Sequence, residues 1–259
     1  PTSSNFTYST TDPTYDLPDQ GEGTTTIKVR AVNSSSTAGP IYSFSVMYDA
    51  TNPAIDTLTS SSHPSEVTWY NDNTPTVEWT TSDGMSGMEG TWRLLDQTAT
   101  HDAAYVITNG TADIEDGNWT SGMVTDGTWY FYLAVRDNAG LISYGTQTIL
   151  VDTGVPTIDT LASSSHPNES NWYADNTPSF EWTTSDGAGG VEGTWRLLDQ
   201  IEIHDTAYII TNGIADIEDG NWTSTAVANG IWYFHLAVRD NTGLTDNGSY
   251  TIWNDSTTP

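Results

Sequence analysis

Carboxylates in glycine-rich loops are the side chains of this 259-residue chain whose types and spacing best fit a binding site. Ca²⁺ takes six or more oxygen ligands from carboxylates, amides and carbonyls. The acidic loops therefore predict a structural Ca²⁺ site, to which Asp49 and Asp152 could contribute. The alternative is that these are solvated turns, since the EF-hand spacing is absent. The candidate ligands are Asp83, Glu89, Asp113, Glu115, Asp116 and Asp137.

Histidines beside aspartates form the second group. The pairs His101-Asp102 and His204-Asp205 occur at equivalent positions, and such a pair could orient a general base. A nucleophile would then need a strained turn, and no Gly-x-Ser-x-Gly elbow is present. The pairs are also duplicated in the two repeats, which favours a structural role over a catalytic one. We predict no catalytic residue, no cofactor other than a structural Ca²⁺, and no enzyme.

Asparagine sequons of the form Asn-x-Ser/Thr are frequent, as they are by chance in a chain rich in serine and threonine. In an exported protein they predict N-glycans on at least one site. The candidates are Asn5, Asn33, Asn109, Asn118, Asn168, Asn221, Asn247 and Asn254.

Aromatic and basic side chains suggest two further roles. Tyr130, Tyr132 and Tyr233 could form an outward row on which sugars stack, although cross-strand packing explains such a row equally well. The arginines are interpreted as structural partners of nearby carboxylates. These arginines are Arg93, Arg136, Arg196 and Arg239.

Composition excludes several classes of partner. The chain has 34 acidic and six basic residues, a net charge of −28, so nucleic acids and anionic membranes would be repelled. It has no cysteine, which rules out disulfides and thiolate metal sites. No apolar run approaches the roughly 20 residues of a membrane-spanning helix, so this chain contains no predicted membrane-spanning segment.

One β-prone stretch organises the elements that must position these residues. It runs from Gly127 to Gly140 and returns from Gly230 to Gly243, with turn residues at both ends. Alternation predicts that one face of this central strand is buried, together with tryptophans from other strands. The predicted core residues are Trp79, Trp92, Trp129, Phe131, Leu133 and Val135, with Trp182, Trp195, Trp232, Phe234, Leu236 and Val238 as their counterparts.

An internal repeat of 103 residues sets the domain organisation. Residues 49–151 align with 152–254 without a gap, and 69 of the 103 positions are identical. About seven strands per repeat and no helical periodicity predict an all-β sandwich with essentially no helix; residues 104–108 are interpreted as a weak strand.

The predicted domain bounds follow from a recurring Asp-x-x-x-Pro phrase. They are 1–48 for a partial unit resembling the C-terminal half of a repeat, 49–151, 152–254, and 255–259 for the start of the next linker. In the partial unit, Asn5-Phe6-Thr7 corresponds to Asn118-Trp119-Thr120, and residues 23–33 and 41–46 are strands. Half a sandwich would leave apolar residues uncovered, so we expect upstream sequence or strands of a neighbouring molecule to complete it.

A family resemblance is carried by Leu58-Thr-Ser-Ser-Ser-His-Pro64, Trp69-Tyr-Asn-Asp-Asn-Thr-Pro75 and Asp126-Gly-Thr-Trp-Tyr-Phe131 with Asp137-Asn-Ala-Gly140. In these motifs the chain resembles the Ig-like or fibronectin-III-like tandem repeats of large archaeal and bacterial surface proteins. The motifs recur in both repeats, whereas the partial unit lacks the first two.

That resemblance implies tandem Ig-like sandwiches in an extracellular or cell-surface protein with an architectural role, such as a surface layer, filament or adhesin shaft. The expected partners are copies of the same protein or its neighbouring repeats. The alternative is a carbohydrate- or polymer-binding accessory module of a secreted enzyme, which an exposed aromatic row would favour.

Overall fold

A computed structural model describes residues 21–113 and 115–257. The first unit contains two antiparallel strands, β1 (Gly23–Val29) and β2 (Tyr42–Tyr48), in which Ile27 lies opposite Phe44. Val29 and Phe44 are each 52% exposed, so among the described residues this hairpin keeps an uncovered apolar surface. The proposed match at residues 5–7 lies outside the described residues.

The first complete repeat forms two sheets. Its elements are β3 (Ala54–Ser60), β4 (Thr76–Ser82), β5 (Met88–Asp96), α1 (Ala103–Asn109), β6 (Thr111–Asp113), β7 (Gly117–Thr120), β8 (Gly127–Asp137) and β9 (Ile142–Val151). One sheet has the order β3-β4-β7 and the other the order β6-β5-β8-β9, with antiparallel neighbours throughout. The sandwich therefore has seven strands, and β8 is the central strand identified from the sequence.

The second repeat has the same architecture. Its elements are β10 (Thr157–Ser163), β11 (Trp172–Tyr173), β12 (Ser179–Ser185), β13 (Val191–Asp199), α2 (Thr206–Asn212), β14 (Ile214–Asp216), β15 (Gly220–Thr223), β16 (Gly230–Asp240) and β17 (Thr245–Asn254). The sheet orders are β10-β12-β15 and β11-β17-β16-β13-β14, with β11 pairing parallel to β17. The two complete repeats are thus tandem all-β sandwiches.

The core lies between the two sheets of each repeat. In the first, Val77 and Trp79 from β4 pack against Phe131, Leu133 and Val135 from β8, and all five are at most 2% exposed. This confirms the predicted inward face. Trp129 packs at the edge of the same cluster and is half-buried.

Trp92 was assigned to the wrong face. It lies directly opposite Ala134 across the β5–β8 ladder, so it shares the outer face of that sheet, and Trp195 opposite Ala237 does the same. Arg136 stacks on the Trp92 ring at 5.0 Å from its centroid. A β-bulge between Met88 and Gly90 shifts the pairing of β5, and sequence alternation alone does not reveal that shift.

Two short helices correct the prediction that residues 104–108 form a strand. In α1, Asp102 is the N-cap and its Oδ1 accepts a hydrogen bond from the Tyr105 backbone N–H at 2.8 Å; Asp205 caps α2 in the same way. Seven residues are too few to show a helical apolar period. Val106 of α1 packs on Tyr132 and Ala134, so β8 is buried on both faces. Among the described residues no helix is both long and apolar enough to span a membrane.

Candidate metal centres at the repeat junctions

Three aspartates converge where each complete repeat begins. Asp49 lies in the linker before β3, Asp83 in the loop between β4 and β5, and Asp137 at the end of β8. One carboxylate oxygen from each lies within 4.8 Å of the others. We call this group the first aspartate triad.

The second aspartate triad repeats this arrangement 103 residues later. It consists of Asp152, Asp186 and Asp240, again with one oxygen from each within 4.8 Å of the others. Asp152 and Asp240 are fully buried. The convergence therefore follows from the fold of the repeat.

In each triad, the linker aspartate accepts a hydrogen bond from a backbone N–H of the loop that contains the second aspartate, Asp83 or Asp186. Asp49 Oδ2 accepts a hydrogen bond from the Ser86 N–H at 2.8 Å, and Asp152 Oδ2 accepts one from the Gly189 N–H at 2.7 Å. Hydrogen bonds to Asp49, the Ser86 side chain first, lower the pKa of its carboxyl below the usual value. Both linker carboxylates are thus fixed in place, and the lowered pKa of Asp49 favours its ionised form.

The aspartate that ends the central strand uses only one oxygen to build its turn. Asp137 Oδ1 accepts hydrogen bonds from the N–H groups of Ala139 and Leu141 at 2.9 and 2.8 Å. Its Oδ2 is buried and has no hydrogen-bond partner among the described residues. Asp240 repeats both features, with Oδ1 bound to Thr242 and Leu244 and Oδ2 without a partner.

The loop aspartate completes the convergence. Asp83 Oδ2 accepts a hydrogen bond from the Gly87 N–H at 2.7 Å, while its buried Oδ1 has no partner among the described residues. Neither oxygen of Asp186 has a partner of full hydrogen-bond geometry among the described residues. Burial, together with the negative charges of Asp152 and Asp240, raises the pKa of Asp186 above its usual value, against the opposing effect of the nearby Gly187 backbone N–H. Three carboxylates are therefore held together in each triad, and some of their buried oxygens have no donor among the described residues.

Of the six predicted Ca²⁺ ligands, the structure brings together Asp83 and Asp137. Glu89 instead forms two hydrogen bonds with Arg136, each of 2.5 Å, and Asp113 pairs with Arg93. Asp116 accepts a hydrogen bond from the Thr81 N–H, and the exposed Glu115 accepts one at its backbone carbonyl. These four are outside the triads. The sequence indicated Asp49 only as a contributor to the site. The available signal was that an aspartate recurs four residues before a proline at each domain boundary, as Asp49 does before Pro53.

The arginines have the predicted structural role. Arg93 pairs with Asp113, Arg136 with Glu89, Arg196 with Asp216 and Arg239 with Glu192. Each guanidinium also lies over a tryptophan ring, at 4.5 to 5.0 Å from its centroid. These four are the only lysines or arginines of the two complete repeats, and among the described residues none of them forms an ion pair with a triad carboxylate.

The histidine and the aspartate of each adjacent pair have different hydrogen-bond partners. Asp102 and Asp205 cap helices, while His101 and His204 bind Asp96 and Asp199 at 2.7 and 2.8 Å. In the second repeat His235 joins His204 and Asp199 as a further polar cluster. However, the Nε2 of His235 lies 2.9 Å from the Ile201 carbonyl, so it donates a hydrogen bond there instead of offering a lone pair.

The proposed tyrosine row is not exposed. Tyr132 is fully buried beneath α1, which raises the pKa of its phenol to about 12, and its hydroxyl donates to the Thr98 carbonyl. Tyr130 and Tyr233 are half-buried. An exposed aromatic row would have favoured a sugar-binding module, and Tyr132 is not available for such a row because it is buried.

The sequons differ in accessibility. Asn254 is buried and its amide donates to the Val227 and Ala228 carbonyls, so its side chain is not accessible in the folded repeat. Asn5 lies outside the described residues. The exposed candidates are Asn33, Asn109, Asn118, Asn168, Asn221 and Asn247.

Comparison with solved structures finds similar chains among multi-domain repeats. Fibronectin(III)-like modules of CbhA from Clostridium thermocellum share 11% identity at a TM-score of 0.31, over 78% of this chain and 94% of theirs. A tetra-tandem repeat from the extending region of a large adhesion protein shares 18% at 0.39, over 92% of this chain and 58% of that one. The protocadherin GammaB4 extracellular domain shares 12% at 0.36, over 89% and 38%. Neither a protein-family model nor a curated protein matches the sequence.

Proposed function

We propose that this chain is a structural repeat region of an extracellular or cell-surface protein. Its sandwiches, joined by fixed linkers, would act as a spacer between the parts of that protein. A surface layer, a filament or an adhesin shaft would use such a region. The proposal includes no enzymatic activity. It also includes association with copies of the same protein and N-glycans on exposed sequons.

The observation that carries the proposal is that the linker between the complete repeats is bound from both sides. Between the complete repeats, the Asp152 N–H donates to the Tyr70 carbonyl at 2.9 Å, and the Thr153 N–H donates to Asp126 Oδ1 at 2.9 Å. Tyr70 and Asp126 belong to the first repeat, whereas Asp152 accepts its hydrogen bond from Gly189 of the second. A linker held by both neighbours restricts the angle between them.

The contact between a linker and the unit before it recurs at the other two junctions. Glu22 Oε1 accepts hydrogen bonds from the Ala50 N–H and the Thr51 hydroxyl at 3.1 and 2.7 Å. Asn229 Oδ1 accepts them from Ser256. Glu22, Asp126 and Asn229 each precede the glycine at the start of a central strand, so one position of every unit receives the linker that follows it.

Small-angle X-ray scattering of the 259-residue chain tests the proposal. A compact particle of this length would have a radius of gyration of about 18 Å. We expect a clearly larger value and a long-tailed distance distribution, because the linkers keep successive sandwiches apart. A value near that of a compact particle, with the sandwiches folded side by side, would contradict an architectural role.

A further inference from the structure

We propose that each aspartate triad binds one Ca²⁺ ion and thereby fixes the linker to the repeat that follows it. The chain would then hold two equivalent sites, one formed by Asp49, Asp83 and Asp137 and the other by Asp152, Asp186 and Asp240. This goes beyond the architectural role, which does not require a metal.

The buried oxygens without partners are the first argument. An ionised group out of water is costly unless it is paired or coordinates a metal. Asp137 and Asp240 are fully buried, their Oδ1 atoms already serve the turn, and their Oδ2 atoms are the oxygens left over. Asp83 and Asp186 leave further buried oxygens without partners. A cation among these oxygens would satisfy all of them.

The missing countercharge is the second argument. Among residues 21–113 and 115–257, no lysine, arginine or histidine nitrogen lies within 4.0 Å of a carboxylate oxygen of either triad. The four arginines of the repeats are bound to Asp113, Glu89, Asp216 and Glu192 instead. The fold thus neutralises carboxylates elsewhere and leaves three together at each junction.

The donor set selects the kind of metal. All three side chains offer hard carboxylate oxygens, and no sulfur or imidazole belongs to either triad. Such ligands suit Ca²⁺ or Mg²⁺ rather than Zn²⁺ or Cu²⁺. Three carboxylates can supply three to six oxygens in irregular geometry, which Ca²⁺ tolerates, whereas Mg²⁺ demands a near-ideal octahedron. Backbone carbonyls and water would complete the coordination.

The position of the site gives the ion a structural effect. In the second triad, Asp152 belongs to the linker, while Asp186 and Asp240 belong to the body of the second repeat. An ion bound by all three would join the linker to that repeat. Thr153, the next residue, is already bound to Asp126 of the first repeat. The ion would therefore restrict the junction as well as neutralise it.

Calorimetric titration of the EDTA-stripped 259-residue chain with CaCl₂, in high NaCl, tests the proposal. We expect two ions per chain, one for Asp186→Asn, one for Asp83→Asn and none for the double variant. The control Asp56→Asn removes an exposed carboxylate outside both triads, so it should still bind two. Saturable binding that is unchanged in the double variant would overturn the proposal, as would no saturable binding to the parent chain.

Asp186→Asn also separates a metal site from loss of folding. Because the Gly187 backbone N–H is the one donor that stabilises the Asp186 carboxylate, and an amide oxygen can also accept from it, Asp186→Asn keeps that contact and relieves repulsion by Asp152 and Asp240. In EDTA the variant should melt at the same or a higher temperature than the parent. In Ca²⁺ it should melt lower, since it lacks one ion.

Two further outcomes would contradict the proposal. One is a lower melting temperature of Asp186→Asn in EDTA, which would assign the carboxylate a role in folding without metal. The other is an equal gain from MgCl₂ at matched ionic strength, which would leave charge screening as the explanation. The scattering experiment above is independent, because an elongated particle without Ca²⁺ binding would refute only the metal site.

Discussion

His235 shows how one residue changes the chemistry of an otherwise duplicated position. In the first repeat Tyr132 lies there, and its hydroxyl donates to the Thr98 carbonyl; in the second, His235 donates to the equivalent Ile201 carbonyl. Burial lowers the pKa of His235 below the usual 6.5, and the nearby His204 contributes in the same direction, whereas Asp199 at 3.7 Å and the bond to Ile201 oppose it. The folded repeat thus favours the neutral imidazole of His235 more than the unfolded chain does.

A pH dependence of stability follows from this shift. As pH falls through about 6.5, His235 takes up a proton in the unfolded chain before it does so in the folded repeat, so stability is lost. Each unit of difference between the two pKa values corresponds to about 1.4 kcal/mol. In urea unfolding at about pH 8 and about pH 5.5, we expect His235→Tyr to lose less stability than the parent. Equal losses would show that His235 is not responsible.

At the scale of the element, α1 depends on its N-cap. The helix has only seven residues, and Asp102 Oδ1 satisfies the Tyr105 N–H that no residue of the helix can reach. Replacement of an N-cap aspartate by alanine typically costs about 1 kcal/mol. We expect Asp102→Ala to destabilise the first repeat by this amount in chemical denaturation.

Asn is also a good N-cap, so Asp102→Asn should retain most of the stability and serves as the matched control. Asp205→Ala should reproduce the loss in the second repeat, where Asp205 holds Tyr208 in the same way. If Asp102→Asn is as unstable as Asp102→Ala, the charge of Asp102 and not its capping bond would matter.

The strands could largely be predicted from the sequence, whereas the two helices could not. Of the site, the sequence identified Asp83 and Asp137 as ligands but not which other acidic residues lie beside them. Alternation identified the core face of β8, because Phe131, Leu133 and Val135 repeat every second residue. It could not show that α1 covers the other face. Likewise, Glu89 and Asp113 resembled Ca²⁺ ligands until the strand register placed Arg136 and Arg93 beside them. Local pattern fixes an element, but which charges meet depends on how elements pair.

At the scale of the whole molecule, the net charge of −28 opposes compaction. Repulsion among exposed carboxylates is screened over about 10 Å at 0.1 M ionic strength and over shorter distances in more salt. We therefore expect the melting temperature of the EDTA-treated chain to rise from low to high NaCl. KCl should have the same effect, because screening depends on ionic strength alone. A melting temperature that is constant or falls would contradict this.

The near identity of adjacent repeats has a consequence for how the chain folds. The central strands β8 and β16 carry almost the same sequence and pair with their neighbours in the same register. During refolding, β16 could enter the first sandwich in place of β8 with most of its contacts intact, which is a known hazard of tandem domains. Folding during synthesis avoids this exchange, because the first repeat can close before the second has been made.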